Sequence, residues 1–135
     1  MNNWVGGPGW NESGPGWQVF RKLTDMNNPG PSQTFVLLDE REDSINDGYF
    51  VVDMAGYPNS PNLLKIVDYP ASYHGRAGGM SFADGHSEIR KWKDPRTIPR
   101  LSKTDLPLNV ASAGNQDVIW MQQRSTRKAS GPGSE

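Results

Sequence analysis

The stretch HGRAGGMSFADGHSEIRKW, residues 74–92, decides the fold, and it holds both histidines of the chain. Two glycines open a run in which side chains of different character alternate, as in a strand with two distinct faces. Asp84-Gly85 then offers the two residues of a type I′ turn, and a second alternating run follows. The stretch therefore predicts a β-hairpin with strands over Gly78–Asp84 and His86–Trp92.

A two-residue turn also fixes which residues of the hairpin face each other. It places Met80 opposite Ile89 and Ser81 opposite Glu88, so that one face is mostly apolar. The other face then carries Ser81, His86 and Glu88, which are residue types suited to nucleophilic catalysis. However, Ser81 does not lie in the Gly-X-Ser-X-Gly turn that presents a nucleophilic serine in many hydrolases.

The remaining β-rich runs are short and closely spaced, which favours antiparallel pairing. They cover Thr34–Asp39, Tyr49–Met54 and Leu63–Val67. Prolines at 95, 99 and 107 predict an extended strap, and Asn115 is a good N-cap for a helix that ends near Arg124. The expected fold class is α+β: an antiparallel sheet of about five strands, long irregular loops and a short C-terminal helix.

Length and composition indicate one domain over residues 1–127, followed by a flexible tail over residues 128–135. Hydrophobic residues make up 34% of the chain, so the core is small. A net charge of −1 gives no support for a nucleic-acid partner, which favours a basic surface. The chain has no cysteine, which excludes disulfides and thiol chemistry.

Tryptophans punctuate a Gly/Pro-rich segment at the N-terminus, at positions 4, 10 and 17. This segment shows neither a helical nor a strand period. One interpretation is an irregular arm whose tryptophans cover the sheet. The alternative is an aromatic platform for a ligand such as a sugar.

The segment between the first two predicted strands is crowded with oxygen ligands of the kind that Ca²⁺ prefers. The candidate ligands are Asp39, Glu40, Asp43, Asn46 and Asp47. The segment is not an EF-hand, because Ile45 and Met54 occupy two positions that need oxygen donors. The alternative interpretation is a solvated loop in which Asn46-Asp47-Gly48 forms a turn.

His74, His86 and Asp84 are the candidate catalytic residues, since histidine titrates near neutrality and suits proton transfer or metal binding. With a cation held by the acidic segment, a histidine could activate water against a small ester or lactone substrate. The alternative is structural: His74 hydrogen-bonds backbone near the hairpin, and Asp84 belongs to its turn.

The His-X9-Asp-Gly spacing from His74 to Asp84, together with the acidic segment upstream, resembles the C-terminal domain of prepilin-like bacterial proteins. The resemblance covers roughly residues 17–127. It implies a pseudopilin-like globular head of the type II secretion or type IV pilin class, acting as a structural or interaction module at the cell envelope or outside it. Major pseudopilins as a class hold calcium in a loop of this head, so the resemblance also suggests a Ca²⁺ site.

Such proteins normally begin with a basic leader, a processing site and a long apolar helix. Here no apolar run exceeds the four residues of Phe35–Leu38, which is far short of the ~20 residues that span a bilayer. The chain is therefore expected to be the head without its stalk. A sheet face bearing Phe35, Leu37 and Val51 would then need cover from the N-terminal arm, the strap, the C-terminal helix or a second copy of the chain.

Overall fold

The strand predicted after His74 lies at the centre of a three-stranded antiparallel sheet. The structure, a computed structural model, describes residues 1–100 and 106–128. The fold is α+β, as predicted, but five strands are divided between two sheets rather than forming one. In the three-stranded sheet, β3 (Ala77–Phe82) lies between β1 (Phe35–Leu38) and β4 (Ser87–Lys91). The smaller sheet pairs β2 (Lys65–Ile66) with β5 (Val110–Ala111).

The β3–β4 hairpin is confirmed, but its two-residue turn is wrong. Phe82 N donates to His86 O (2.9 Å) and Gly85 N donates to Phe82 O (3.0 Å), so the loop contains three residues. Asp84 Oδ1 accepts from His86 N (3.1 Å), and Gly85 adopts φ +95°. Such a loop, with a glycine in a left-handed conformation at its end, is a common alternative to the two-residue turn.

The extra loop residue shifts the pairing by one position. Ser81 lies opposite Ser87, and Met80 lies opposite Glu88. Because side chains alternate between faces, this shift moves every β4 residue to the other face. Glu88 consequently shares the face of Met80, while Ser81 lies on the opposite face, so the predicted Ser81–His86–Glu88 arrangement is not formed.

The second predicted strand, residues 49–54, is wrong as a ladder strand. Phe50 forms only an isolated bridge with Asn2. The alternating burial that suggested a strand is real, since Phe50, Val52 and Met54 are all buried. The backbone N–H groups of this segment are satisfied mostly by side chains instead, with Asp68, Asn3 and Ser13 accepting from residues 51, 52 and 54 at 2.6, 3.1 and 2.8 Å.

The N-terminal arm covers the inner face of the three-stranded sheet. Trp4 is 2% exposed and its Nε1 donates to Val52 O (2.8 Å), which confirms the interpretation that this tryptophan covers the sheet. The main core also contains Phe35 from β1 and Met121 from the helix. The inner face is thus covered by the chain itself. Leu37 and Ile89, on the outer face, are 55% and 78% exposed.

The single α-helix of the described residues, α1 (Gln116–Gln122), begins where it was predicted. The Asn115 side chain accepts from Asp117 N (2.9 Å), as an N-cap should. Asp117 is buried and ties the strap to the helix, because its carboxylate accepts from Lys93 N, Asp94 N and Thr97 Oγ1 at 2.7–3.1 Å. Val118, on the other side, packs in a second core cluster with Leu64, Ile66 and Tyr69.

Short 3-10 turns replace regular structure elsewhere. They lie at Asn11–Ser13, Leu23–Asp25, Pro31–Gln33, Pro61–Leu63 and Pro95–Thr97. Part of the strap, residues 101–105, and most of the predicted tail, residues 129–135, lie outside the described residues. Lys128, the first residue of that tail, forms a bridge with Trp17. In the described part of the chain, no helix has the length and apolar character needed to cross a membrane.

Candidate functional site

A cleft of about 480 Å³ opens between the acidic segment and the turn that precedes β3. Its lining combines three carboxylates, an imidazole and a phenol with apolar side chains. The polar residues are Asp39, Glu40, Asp47, Tyr73 and His74, and the apolar ones include Leu38 and Ile45. Two parts of the chain that were singled out separately, the acidic segment and His74, therefore meet at one place.

Backbone pairing brings the acidic segment to β3. Asp39 N donates to Gly79 O (3.0 Å), which continues the β1–β3 ladder beyond Leu38. On the other side of the segment, Ala71 N donates to Asp39 O (2.7 Å). The turn before β3 closes when Ala77 N donates to His74 O (3.2 Å), which leaves the His74 imidazole at the cleft.

Glu40 is the half-buried carboxyl of the cleft. Burial raises its pKa from 4.5 to about 7, and the nearby carboxylates of Asp68 and Asp47 act in the same direction. A hydrogen bond from Ser44 Oγ to Glu40 Oε2 (2.8 Å) opposes this shift. A carboxyl with this pKa exchanges its proton near neutral pH, which is the range in which a general acid or base works well.

Asp68 lies behind the cleft and is almost completely buried. Burial raises its pKa to about 6, and the negative charge of Asp47 adds to the effect. Its Oδ2 accepts from Val51 N (2.6 Å), which favours the ionised form and limits the shift. Glu40 and Asp68 thus form a pair of carboxyls that are both shifted upward by burial and by negative neighbours.

The five predicted metal ligands do not all reach the cleft. Asp39, Glu40 and Asp47 line it, whereas Asn46 is exposed and is not part of the wall. Both oxygens of the Asp43 carboxylate accept from Arg41, at 2.6 and 2.9 Å, and both side chains are buried. Among the described residues, no three His, Asp or Glu side chains are grouped closely enough to hold one metal ion.

The length of β3 separates His74 from the other two predicted catalytic residues, Asp84 and His86. His74 precedes the strand, while Asp84 and His86 lie at its other end in the hairpin loop. Six strand residues at ~3.3 Å each span roughly 20 Å, so these side chains cannot act on one substrate bond.

The hairpin tip carries its own polar cluster. His86 Nδ1 contacts Asp84 Oδ1, and its Nε2 lies 2.8 Å from Glu88 Oε2. The imidazole stacks on the Phe82 ring, with centroids 4.4 Å apart and planes 8° apart. Hydrogen bonds with Glu88 and Asp84 raise the pKa of His86, and its partnership lowers the pKa of Asp84. The cluster is solvent-accessible, so it can act as an ion-paired tip but does not enclose a substrate.

Asp68 and Ser44, which belong to the environment of the cleft, are not among the residues predicted from the sequence. Asp68 is 28 residues from Glu40 along the chain and approaches it only through the tertiary fold. No spacing rule connects the two. Ser44 was visible as a hydroxyl four residues after Glu40, and its hydrogen bond needed only a tight turn in the segment.

No protein-family model, curated protein or solved structure matches this chain.

Proposed function

We propose that this chain is a pseudopilin-like head domain of the type II secretion or type IV pilin class, acting as a structural or interaction module at the cell envelope. The observation that supports the structural role is the position of the His-X9-Asp-Gly residues. Between His74 and Asp84 lie two turn residues, the six residues of β3, and Ala83. The nine-residue spacing therefore equals the length of the central strand with its turns, which supports an architectural role for the motif.

Residue chemistry at the two ends of β3 fits the same role. Asp84 supplies the acceptor that closes the hairpin loop, and Gly85 supplies a positive φ that other residues adopt with strain. At the other end, Gly78 packs so closely that an added Cβ would lie 2.6 Å from Ala71 O. A motif that positions a strand would need these residues even if it took part in no chemical reaction.

As an interaction module, the domain would pair with a second copy of itself through the outer sheet face. Leu37 and Ile89 lie on this face and are mostly exposed, on either side of the small residues of β3. Charged residues of β4, Glu88, Arg90 and Lys91, disfavour pairing along its edge, so face-to-face contact is the expected mode.

Sedimentation equilibrium over a range of concentrations tests this association. The wild type should gain mass with concentration, whereas Ile89→Lys should remain a monomer. Lys91→Arg, a change on the same strand that keeps the charge and removes no apolar surface from the face, is the control and should behave as the wild type. A wild type that is monomeric at every concentration contradicts the proposed pairing.

The carboxylate cleft is the place where we propose that the head holds Ca²⁺. Asp39, Glu40 and Asp47 line it, with the buried Asp68 nearby. Burial is the main cause of the raised pKa of Glu40, and the carboxylates of Asp68 and Asp47 add negative charge that a cation would relieve. Asp47 is exposed and its Oδ1 accepts from Tyr49 N (2.8 Å), so its Oδ2 is the oxygen available to an ion. Binding should raise the melting temperature in calcium relative to EDTA. A ligand that binds only the folded state adds about 2.7 kcal/mol to the free energy of unfolding when its concentration is a hundred times its Kd.

A matched pair of variants makes the calcium test specific. Asp47→Asn removes a cleft carboxylate, whereas Glu42→Gln removes an exposed carboxylate of the same segment outside the cleft. The calcium-dependent shift should shrink only in Asp47→Asn. Superimposable melting curves of the wild type in calcium and in EDTA would remove the cation from the proposal.

One observation favours a second candidate, a small hydrolase for an ester or lactone. Glu40 has a pKa of about 7 in a cleft that also exposes the His74 imidazole, and either group could accept a proton from water. A panel of chromogenic esters should show no turnover above background for the structural module. Turnover that is lost in His74→Ala and in Glu40→Gln, but kept in the distant His86→Ala, would establish the hydrolase instead.

A further inference from the structure

A second cleft, of about 320 Å³, lies at the C-terminal end of α1 and is lined by a different chemistry. Two arginines and several amide side chains form its walls, and none of the described lining residues is acidic. The polar residues are Asn28, Gln33, Tyr57, Gln123, Arg124 and Arg127. Among the residues that the structure describes, this basic cleft shares none with the carboxylate cleft.

The end of the helix holds both guanidinium groups in place. Arg124 Nη1 donates to Trp120 O (3.0 Å), and Arg127 Nη1 donates to Gln123 O (3.1 Å), so each satisfies a carbonyl that the ending helix leaves free. Each guanidinium also lies over an aromatic ring, Arg124 over Trp120 at 4.0 Å and Arg127 over Tyr57 at 5.0 Å. The two positive groups are therefore fixed before any ligand arrives.

The positive charge at the basic cleft is not neutralised within the described part of the chain. Among the described residues, the arginines that form ion pairs are Arg41, Arg90 and Arg96. Neither Arg124 nor Arg127 is among them. Burial lowers the pKa of Arg124, whereas the negative charge of Glu88 raises it. The positive charges of Arg90 and Arg127 lower it further. On both guanidinium groups, Nε and Nη2 donate no hydrogen bond to a described residue.

We propose that this basic cleft binds a phosphate dianion, either free or as the phosphomonoester of a small molecule. Two guanidinium groups carry two positive charges and present forked N–H donors that match phosphate oxygens. The amides of Gln33 and Gln123 add neutral donors beside them. The volume exceeds that of one phosphate and lies at the lower end of small-molecule sites, which leaves room for a small organic group.

Isothermal titration calorimetry in a chloride buffer tests the site with three probes: inorganic phosphate, glycerol phosphate and glycerol. Both phosphates should bind the wild type and glycerol should not. Tighter binding of glycerol phosphate identifies a phosphomonoester as the ligand class, whereas tighter binding of inorganic phosphate identifies the free ion. Acetate that binds as well as the phosphates would overturn the assignment to phosphate.

Two variants and a control decide whether the arginines form the site. Arg127→Gln should weaken phosphate binding about tenfold or more, since a charge-assisted pair is lost. Arg127→Lys keeps the charge but loses the fork and should bind with intermediate affinity. Arg96→Gln removes an exposed arginine that is paired with Asp94 and should bind as the wild type. Circular dichroism of each variant separates loss of binding from loss of folding.

Two further results would overturn the proposal. One is the absence of binding heat when the wild type is titrated to about 10 mM of either phosphate, because the Kd of a preorganised site should lie below this concentration. The other is equal binding by the wild type and by folded Arg127→Gln, which would place the anion elsewhere on the surface.

Discussion

Met80 lies directly opposite Glu88 in the β3–β4 hairpin, one position away from the Ile89 pairing that a two-residue turn would give. This single relationship decides what the hairpin presents on each side. It places Glu88 on the face of the buried Met80 and leaves Ile89 on the outer face, 78% exposed. It also removes Ser81 from the neighbourhood of His86, so the residues that suggested nucleophilic catalysis do not form a site.

The hairpin loop depends on Gly85, which adopts φ +95° in open space. Gly85→Ala should destabilise the protein by about 1–2 kcal/mol, because a Cβ in this conformation is strained whatever the space around it. Gly48→Ala is a matched control, since Gly48 is also surrounded by open space but has no positive φ. Urea denaturation measures both. Equal effects of the two substitutions would contradict the described loop.

The carboxyls of Glu40 and Asp68 should make stability fall as the pH rises. Their pKa values in the folded chain, about 7 and about 6, exceed the ordinary values of 4.5 and 3.8. The folded state therefore binds more protons than the unfolded state between about pH 4 and pH 7, and it loses this advantage as both groups ionise.

Glu40→Gln isolates the contribution of the cleft carboxyl to this profile. The variant should gain stability relative to the wild type as the pH rises from 5 to 8, since a neutral amide has no proton to lose. Glu42→Gln, in the same segment but exposed, should retain the wild-type slope. Denaturation midpoints measured from pH 4 to pH 8 check this, and parallel profiles for Glu40→Gln and the wild type would contradict it.

His86 should titrate above its ordinary pKa of 6.5, because Glu88 and Asp84 favour the imidazolium. The stabilisation that it provides is present below pH 6.5 and is lost as the pH rises through the raised value. Proton NMR of the His86 ring measures this directly. Glu88→Gln and Asp84→Asn should each lower the pKa, while Asp47→Asn, at the carboxylate cleft, should leave it unchanged.

Removing one partner of the buried Arg41–Asp43 pair should destabilise the protein strongly, whereas replacing both partners with apolar residues should destabilise it little. Asp43→Ala leaves a buried guanidinium without its carboxylate and should destabilise by about 3–5 kcal/mol. The double variant Arg41→Met/Asp43→Leu removes both charges and should recover most of that loss. Chemical denaturation compares the two. A double variant as unstable as Asp43→Ala would show that the pair contributes more than mutual neutralisation.

Local chemistry predicted the parts of the fold that depend on neighbours in sequence. The run Thr34–Asp39, the hairpin after His74 and the Asn115 cap each carry their own signal, and each is present. The segment 49–54 also shows the alternation of a strand. Its partners, however, are side chains such as Asn3 and Asp68, and no pattern within the segment reveals what its backbone will bond to.

The candidate sites depend on tertiary approach, which the sequence reveals only in part. The acidic segment and His74 were recognised from their residue types, and they do line one cleft. The burial of Asp43 against Arg41 was not foreseen, because charged neighbours in sequence usually remain solvated. The basic cleft was equally hidden, since Arg124 and Arg127 looked like ordinary residues after a helix and a net charge of −1 conceals a local excess of positive charge.

Cross-strand nuclear Overhauser effects between β3 and β4 test the central claim most directly, namely that His74 and Asp84 bound a structural strand. The pairing described here predicts contacts from Met80 to Glu88 and from Ser81 to Ser87. Contacts from Met80 to Ile89 and from Ser81 to Glu88 would contradict it, because they would place His86 and Glu88 on the face of Ser81.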